Sequence, residues 1–386
     1  MKLMHLSDLH LGKRVNEFSM MEDQKYILKQ ILDIAKQEQA DGVLLAGDIY
    51  DKPVPTLEAV QVFDSFLTDL AQKGIPVFLI SGNHDSGERL SFGASLMEGE
   101  NIHIAGVYNG SVKKAVLTDR YGEVCLYLLP FLKPSAVRHA LEQKDGTEHP
   151  EILTYQDAVK AAVNRIAPDP QKRNILAAHQ FVTGASRCES EEVMVGGLDQ
   201  VDASVFASFD YVALGHLHSP QTVGRETIRY CGTPLKYSFS EAGQQKSVTI
   251  LELREKGEIT VRTVPLSPLR EMRKIRGTYL EVTAKSFYEG TNTEDYLQIT
   301  LTDEEDIPDG FQKLRVIYPN LMRLEYDNRR TREDQSVEGA KAVEEKSGLE
   351  LFEKFFQLQN NQPVSEKQRA FVQKLIQDIQ EGEEQP

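Results

Sequence analysis

Gly42-Val43-Leu44-Leu45-Ala46-Gly47-Asp48-Ile49-Tyr50-Asp51 joins an unbroken apolar run to a glycine and a carboxylate. Val43 to Ala46 has the pattern of a strand buried on both faces. Gly47 ends it and puts Asp48 at the strand's C-terminal tip, where open α/β sheets gather ligands. An Asp in such a place, taken alone, commonly caps the turn that follows. Its meaning therefore depends on what the other apolar runs end in.

Working outward, Lys2 to Leu6 runs into Ser7-Asp8-Leu9-His10, and Pro76 to Ile80 into Gly82-Asn83-His84-Asp85. Asn174 to Ala178 ends at His179, and Tyr211 to Leu214 at Gly215-His216-Leu217-His218. Asp8 and His10 are two apart, as are His216 and His218, so each pair shares one side of an extended backbone. A lone His is more often a hydrogen-bonded structural residue than a ligand, and Gly-Asn-His-Asp alone is compatible with a turn. The repetition at successive strand tips is what argues for a common site. Carboxylate, imidazole and amide oxygen suit a hard-to-borderline divalent ion such as Mn²⁺, with Mg²⁺, Fe²⁺ or Zn²⁺ as alternatives. No cysteine joins the group, which argues against a structural thiolate zinc site. There are too many ligands for one ion. Two ions about 3.5–4 Å apart are the usual arrangement for phosphoester hydrolysis.

Helical spacing of Ile27, Ile31 and Ile34, and of Val60, Phe63, Leu67 and Leu70 behind a Thr56 cap, alternates with the strands. That alternation predicts an α/β sandwich. Residues 112–118 with 123–129, and 247–253 with 258–264, read as edge hairpins, and 183–197 as a long loop bordering the site. At 386 residues, two domains and a tail are expected. Cys125, Cys188 and Cys231 are widely spaced, which predicts reduced thiols and a cytoplasmic setting. No apolar run approaches the length of a membrane span, and no signal peptide is evident.

The ordered motifs resemble those of the calcineurin-like metallophosphoesterase superfamily, and within it the bacterial nuclease subunits that work with a coiled-coil ABC ATPase. Met1 to Gly12, Leu45 to Asp51, Ile80 to Ser86, Tyr211 to His218 and Tyr230 to Leu235 carry the resemblance, with Tyr296 to Asp303 and Leu314 to Tyr318 in a second domain. It implies a two-sheet sandwich flanked by helices over 1–265. A small α+β capping domain over 266–327, a flexible linker at 328–347 and a helical partner-binding segment at 348–386 follow. It implies that Asp8, His10, Asp48 and His218 hold one Mn²⁺ and that Asp48, Asn83, His179 and His216 hold the other. His84 is then the general acid, oriented by Asp85. Where archaeal and eukaryotic members carry a His implicated in placing DNA, this chain has Asp51, either a DNA-positioning residue or part of a turn.

In the capping region, 278–284, 296–301, 308–318 and 321–326 read as strand, strand, helix, strand. The net charge of −15 is unusual for a DNA enzyme. A basic cluster of Arg270, Arg273, Lys274 and Arg276 offers a DNA contact, or else a solvated linker. In the tail, Leu349, Phe352, Phe355 and Phe356 form one apolar face and Phe371, Leu375 and Ile379 another. The resemblance makes these faces docking surfaces for the ATPase, and makes residues 57–72 and 87–99 a homodimer interface. It implies a Mn²⁺-dependent DNA nuclease associated with the nucleoid: a 3′→5′ exonuclease on duplex, and an endonuclease on single strands and hairpins. The alternative is a phosphomonoesterase or cyclic-nucleotide phosphodiesterase with the same metals, which needs neither second domain nor tail. A catalytically dead scaffold would have lost ligands, and none is missing.

Overall fold

The apolar runs form the strands Lys2–Leu6, Gly42–Ala46, Val77–Ile80, Arg173–His179 and Tyr211–Gly215, buried throughout except at Lys2. The computed structural model describes residues 1–191, 200–329, 331, 349, 352, 353, 356 and 364–383, with 376–383 by backbone only. Two six-stranded sheets dominate it. The first runs Ile259–Pro265, Ser247–Leu253, Lys2–Leu6, Gly42–Ala46, Val77–Ile80, Ile102–Ala105. From Lys2–Leu6 onward its neighbours are parallel. The second runs Gln221–Val223, Arg225–Tyr230, Tyr211–Gly215, Arg173–His179, Gly122–Leu129, Lys113–Asp119, parallel in its middle. The two expected hairpins close one edge of each sheet.

The sheets face each other through one apolar layer that includes Leu44, Phe78, Ile80, Leu126, Ile175 and Tyr211. Helices Met21–Glu38 and Leu57–Gln72 cover the outer face of the first sheet, and Pro134–Asp145 and Tyr155–Asn164 that of the second. Ile27, Ile31 and Ile34 are buried as their spacing requires, and Thr56 accepts a hydrogen bond from Ala59 N at 3.2 Å as an N-cap. Val60, by contrast, is half exposed. Burying each large apolar side chain contributes about 1.5–3 kcal/mol, so the strand ends are held on a stiff base.

Parallel register matters most for the site. Leu6 pairs with Leu45, Ala46 with Ile80 and Gly215 with His179. The C-terminal tips therefore line up side by side within each sheet.

Beyond the sandwich, Met272–Gly277, Tyr296–Leu301 and Leu321–Tyr326 form a three-stranded sheet in that order. Residues 278–284, expected as a strand, instead hold the helix Tyr279–Thr283, and the strand lies just before it, in the stretch that carries the basic cluster. The reason is a capping box: Glu281 accepts the Thr278 N–H at 2.7 Å, and Thr278 Oγ1 accepts that of Glu281 at 3.3 Å. The expected helix at 308–318 is shorter, Gly310–Arg315.

Two compact units emerge. One comprises Met1–Ile275, Gly290–Ile299 and Lys313–Arg323; the other comprises Arg276–Glu289, Thr300–Gln312 and the described residues from Leu324 on. In the second, Tyr279 N donates to Asp303 at 2.7 Å, and helix Glu366–Glu383 leaves Phe371 and Leu375 exposed. Leu349, Phe352 and Phe356 have helical backbone, and the two Phe rings lie 6.0 Å apart. Phe355, the Ile379 side chain and most of the expected linker lie outside the described residues. Among the described residues no helix is long and apolar enough to cross a membrane.

Candidate metal centre

The loops after the first two strands continue the strand pairing past its end. Asp8 N donates to Gly47 O at 3.0 Å, His10 N to Asp48 O at 3.0 Å and Leu11 N to Ile49 O at 2.9 Å. This ladder holds Asp8 (φ 54°), His10 (φ 45°) and Asp48 (φ 49°) in the left-handed region, and His216 is also there at φ 106°. Each such residue costs roughly 1–3 kcal/mol and persists only where its surroundings impose it. Close approach imposes the glycines too. A Cβ on Gly82 would lie 2.0 Å from Asp48 Oδ1, and one on Gly215 would lie 1.9 Å from Ala46 O of the facing sheet.

The side chains expected to bind metal converge. His10 Nε2 is 3.1 Å from His218 Nε2 and 3.7 Å from Asp48 Oδ2. His179 Nε2 is 3.3 Å from Asp48 Oδ2, and Asn83 Oδ1 lies 3.0 Å from both His179 Nε2 and His216 Nδ1. Asp8 accepts from Ser7 Oγ and, at 3.1 Å, from His216 N. Donor atoms of Asp8, His10 and His218 lie within 4.8 Å of one another, as do those of Asp8, Asp48 and His179.

Hydrogen bonds set which nitrogens face inward. His179 Nδ1 donates to Ala46 O at 2.8 Å, which leaves the Nε2 lone pair aimed at two oxygens. Ser190 donates its hydroxyl proton to Glu241 at 2.7 Å, so its oxygen accepts from His218 Nδ1, also at 2.7 Å. That leaves the His218 Nε2 lone pair facing His10. Lone pairs that converge on oxygens and on another imidazole repel unless a proton or a cation lies between them. His10 Nδ1 is itself buried without a hydrogen bond. This donor set fits a divalent metal.

Without a cation, the charges within this group are divided. Burial, opposed by His179, pushes the Asp8 carboxyl up to about 8. Burial also works against the Asp48 carboxylate, but the imidazoles of His179, His10 and His84 outweigh it and hold the group ionised, well below the usual carboxylate range. For His179, burial opposes the cation, yet Asp48 and Asp8 raise it to about 9. Burial lowers His216 to about 3 and keeps His10 well below its ordinary value. Asp8 is thus held neutral and His179 cationic, and a divalent cation bound here would displace both protons and leave the anionic carboxylates and neutral imidazoles that metal binding requires.

His84 is half buried beside this group, its ring 4.8 Å from that of His10 and its Nε2 4.0 Å from Asp48 Oδ2. Its main-chain N–H donates to Asp48 Oδ1 at 2.9 Å, and Nδ1 donates to Asp51 O at 3.0 Å. Asp85, expected to orient His84, instead accepts backbone N–H groups of Gly82 (2.9 Å), Tyr50 (3.0 Å) and Ile49 (3.1 Å). It braces the two loops, and the Asp51 carbonyl orients the imidazole. Asp51 turns its carboxylate to Lys13, 2.8 Å away.

The basic cluster is mostly occupied by intramolecular pairing. Arg270 pairs with Glu22 (2.6 Å) and buried Asp23 (2.9 Å), Arg273 with Asp295 (2.6 Å) and Arg276 with Asp327. Lys274 is exposed. Strand geometry alternates these side chains, and each Arg finds a carboxylate that sequence spacing does not reveal.

Sequence reasoning missed the support around the ligands. Lys246 donates to Glu241 at 2.6 Å and to His218 O at 2.9 Å. Gln24 donates to His10 O at 2.7 Å and accepts from Gly12 N at 3.0 Å. These partners lie 5 to 28 residues apart at irregular spacings and show no motif. The described part of the 183–197 loop does border the site, through Ser190 and through Glu191, which accepts from His218 N at 2.6 Å.

Residues 1–220 match the family model described as calcineurin-like phosphoesterase, and the chain belongs to that family of metallophosphoesterases. Residues 268–360 match the model described as type 5 capsule protein repressor C-terminal domain. More particularly, the chain is a homologue of SbcD: it is 35% identical over 328 residues to the SbcD subunit of the SbcCD nuclease of Staphylococcus epidermidis, covering 84% of this chain and 85% of that one. Two solved structures are also similar, both at 12% identity. One is TT1561 of Thermus thermophilus (TM-score 0.37, 68% of this chain and 98% of that chain). The other is a dimetal phosphatase from Danio rerio (TM-score 0.40, 70% and 98%).

Proposed function

We propose that this chain is the nuclease subunit of an SbcC–SbcD-type complex, a Mn²⁺-dependent enzyme that cleaves DNA phosphodiesters in end processing, repair and recombination. The observation that carries this reading is the convergence of Asp48 and Asn83 with the imidazoles of His10, His179, His216 and His218 at one sandwich edge. The homology to the SbcD subunit of an SbcCD nuclease supports the DNA substrate and the SbcC partner.

Asp8, His10, Asp48 and His218 would hold one ion, and Asp48, Asn83, His179 and His216 the other, with Asp48 common to both sets. Bound there, the metals supply a water of lowered pKa and positive charge for the phosphoryl oxygens. His84 faces this space with Nε2. As water adds to phosphorus it gives up a proton to solvent, and as the P–O bond breaks the departing oxygen takes the Nε2 proton of the His84 imidazolium, which then recovers one from solvent. Ser190 and Glu241 keep His218 in the inward-facing tautomer, as Ala46 O does for His179.

Residues 266–327 form a capping region that helps to place DNA, and the apolar face carrying Phe371 and Leu375 docks on the SbcC coiled coil. Exposed Leu57, Phe92 and Leu96, on and between the helical segments at 57–72 and 87–99, are the surface of a homodimer. The protein works in the cytoplasm, on the nucleoid.

A labelled duplex digested with Mn²⁺, beside a p-nitrophenyl phosphate assay, tests this reading. The expected result is degraded DNA with feeble monoester turnover. Robust monoester turnover with intact DNA would overturn it.

A further inference from the structure

Lys13 and Asp51 stand at the point where the two ligand loops meet. Past His10 and Asp48 the loops stay joined: Leu11 N donates to Ile49 O at 2.9 Å, and Asp51 N donates back to Leu11 O at 3.1 Å. The Lys13 amine then reaches the Asp51 carboxylate at 2.8 Å, both side chains 15% exposed. It also lies 5.6 Å from the centre of the Tyr237 ring. Immediately after Asp51 the chain becomes exposed at Lys52, Pro53 and Val54. The carbonyl of Asp51 is thus at the margin of ordered support, yet it is the group that receives His84 Nδ1 at 3.0 Å.

We propose that the Lys13–Asp51 ion pair is a positioning device for His84. By clamping residue 51 to the first loop it fixes the carbonyl that holds the Nδ1 proton, and so presents Nε2 towards Asp48 as the nitrogen that carries the second proton of the imidazolium and gives it up. A carbonyl oxygen can only accept, so this bond selects one tautomer. Neither residue touches the reacting atoms; each acts through the imidazole. A pair mostly withdrawn from water holds its geometry better than an exposed one, which contributes little.

This inference rests on the nuclease reading, and its test separates the two. Lys13→Met keeps the aliphatic stem and removes the charge; Lys13→Arg restores it. Histidine ¹⁵N spectra of the full-length protein report the His84 tautomer without any turnover. At a pH where the ring is neutral, the expected result is one Nδ1–H tautomer in the wild type and in Lys13→Arg, and a mixture in Lys13→Met. With Mn²⁺, Lys13→Met should lower kcat on a DNA oligonucleotide about 10- to 100-fold, part of what a positioned proton donor supplies. On bis(p-nitrophenyl) phosphate, whose leaving group departs without a proton, the loss should stay under about threefold. At saturating Mn²⁺, KM for DNA should not change. An unaltered His84 spectrum in Lys13→Met would overturn the proposal. So would a raised KM with unchanged kcat, which would make Lys13 a direct phosphate contact, and so would equal losses on both substrates. A wild type with the expected spectrum and no DNA cleavage would instead reject the nuclease reading and leave the positioning role standing.

Discussion

His84 Nδ1 lies 3.0 Å from the main-chain oxygen of Asp51, while the Asp85 carboxylate beside it accepts only backbone N–H groups. The imidazole is therefore oriented by a peptide carbonyl. If His84 is the proposed proton donor, replacing it by Ala removes that donor and leaves the expected metal ligands in place. Turnover of DNA should fall about 10²–10⁴-fold, with Mn²⁺ binding measured by calorimetry unchanged. Undiminished turnover would place the acid elsewhere.

Asp48 Oδ2 approaches His179 at 3.3 Å and His10 at 3.7 Å, on the two sides of the site. Asp48→Ala should therefore weaken both metals, by at least about 100-fold, more than removing an outer partner costs. Anomalous scattering from manganese-soaked crystals of the variant reads this directly. Full occupancy at both positions would show that Asp48 is not shared.

Gly82 has no room for a side chain, since a Cβ would sit 2.0 Å from Asp48 Oδ1. Gly82→Ala should displace the Asp48 carboxylate or the loop, costing about 1–3 kcal/mol, as overpacking commonly does. Thermal unfolding and Mn²⁺ titration should fall together. A variant of wild-type stability and affinity would mean that the loops are compliant.

Arg270 separates a structural role from DNA contact. Its guanidinium pairs with Asp23, which is wholly buried and also accepts from Tyr296 OH at 2.7 Å. Arg270→Ala should destabilise the protein by about 3 kcal/mol, the loss expected when a buried carboxylate is left unpaired. KM for DNA should hold constant below the melting temperature. The opposite pattern, intact stability with weakened DNA binding, would restore the DNA reading.

The Asp119–Arg173 pair supplies a pH test remote from the metals. Arg173, nearly buried, donates to Asp119 Oδ2 at 3.0 Å and holds that carboxyl well below the usual carboxylate range. A depressed carboxyl adds stability that is present above its unfolded pKa and is lost as pH falls below about 4 towards the folded value. Asp119→Asn should cost about 3 kcal/mol at neutral pH. The difference from the wild type should shrink on acidification below pH 4, as followed by urea denaturation. A gap independent of pH would show that the carboxylate charge is not the source.

The strands of the site were readable because burial on both faces demands continuous apolar runs, and because ligand types at their tips have no apolar substitute. Leu44, Phe78 and Tyr211 fall in one interlayer core for that reason. The helices over 21–38 and 57–72 showed through their spacing. The stretch 272–284 did not, since the Thr278–Glu281 box outweighs a strand-like run and begins a helix.

The chain's order of motifs was enough to specify the sandwich, the family and the set of metal-ligand types, because periodicity and residue chemistry are local properties written along the backbone. Which nitrogen of His179 or His218 turns inward, which carboxylate meets Arg270, and that Asp51 rather than Asp85 holds His84, came only with the folded chain. Hydrogen bonds join atoms by distance and angle, and these partners lie up to hundreds of residues apart. No spacing rule can encode a contact that exists only once two sheets have packed.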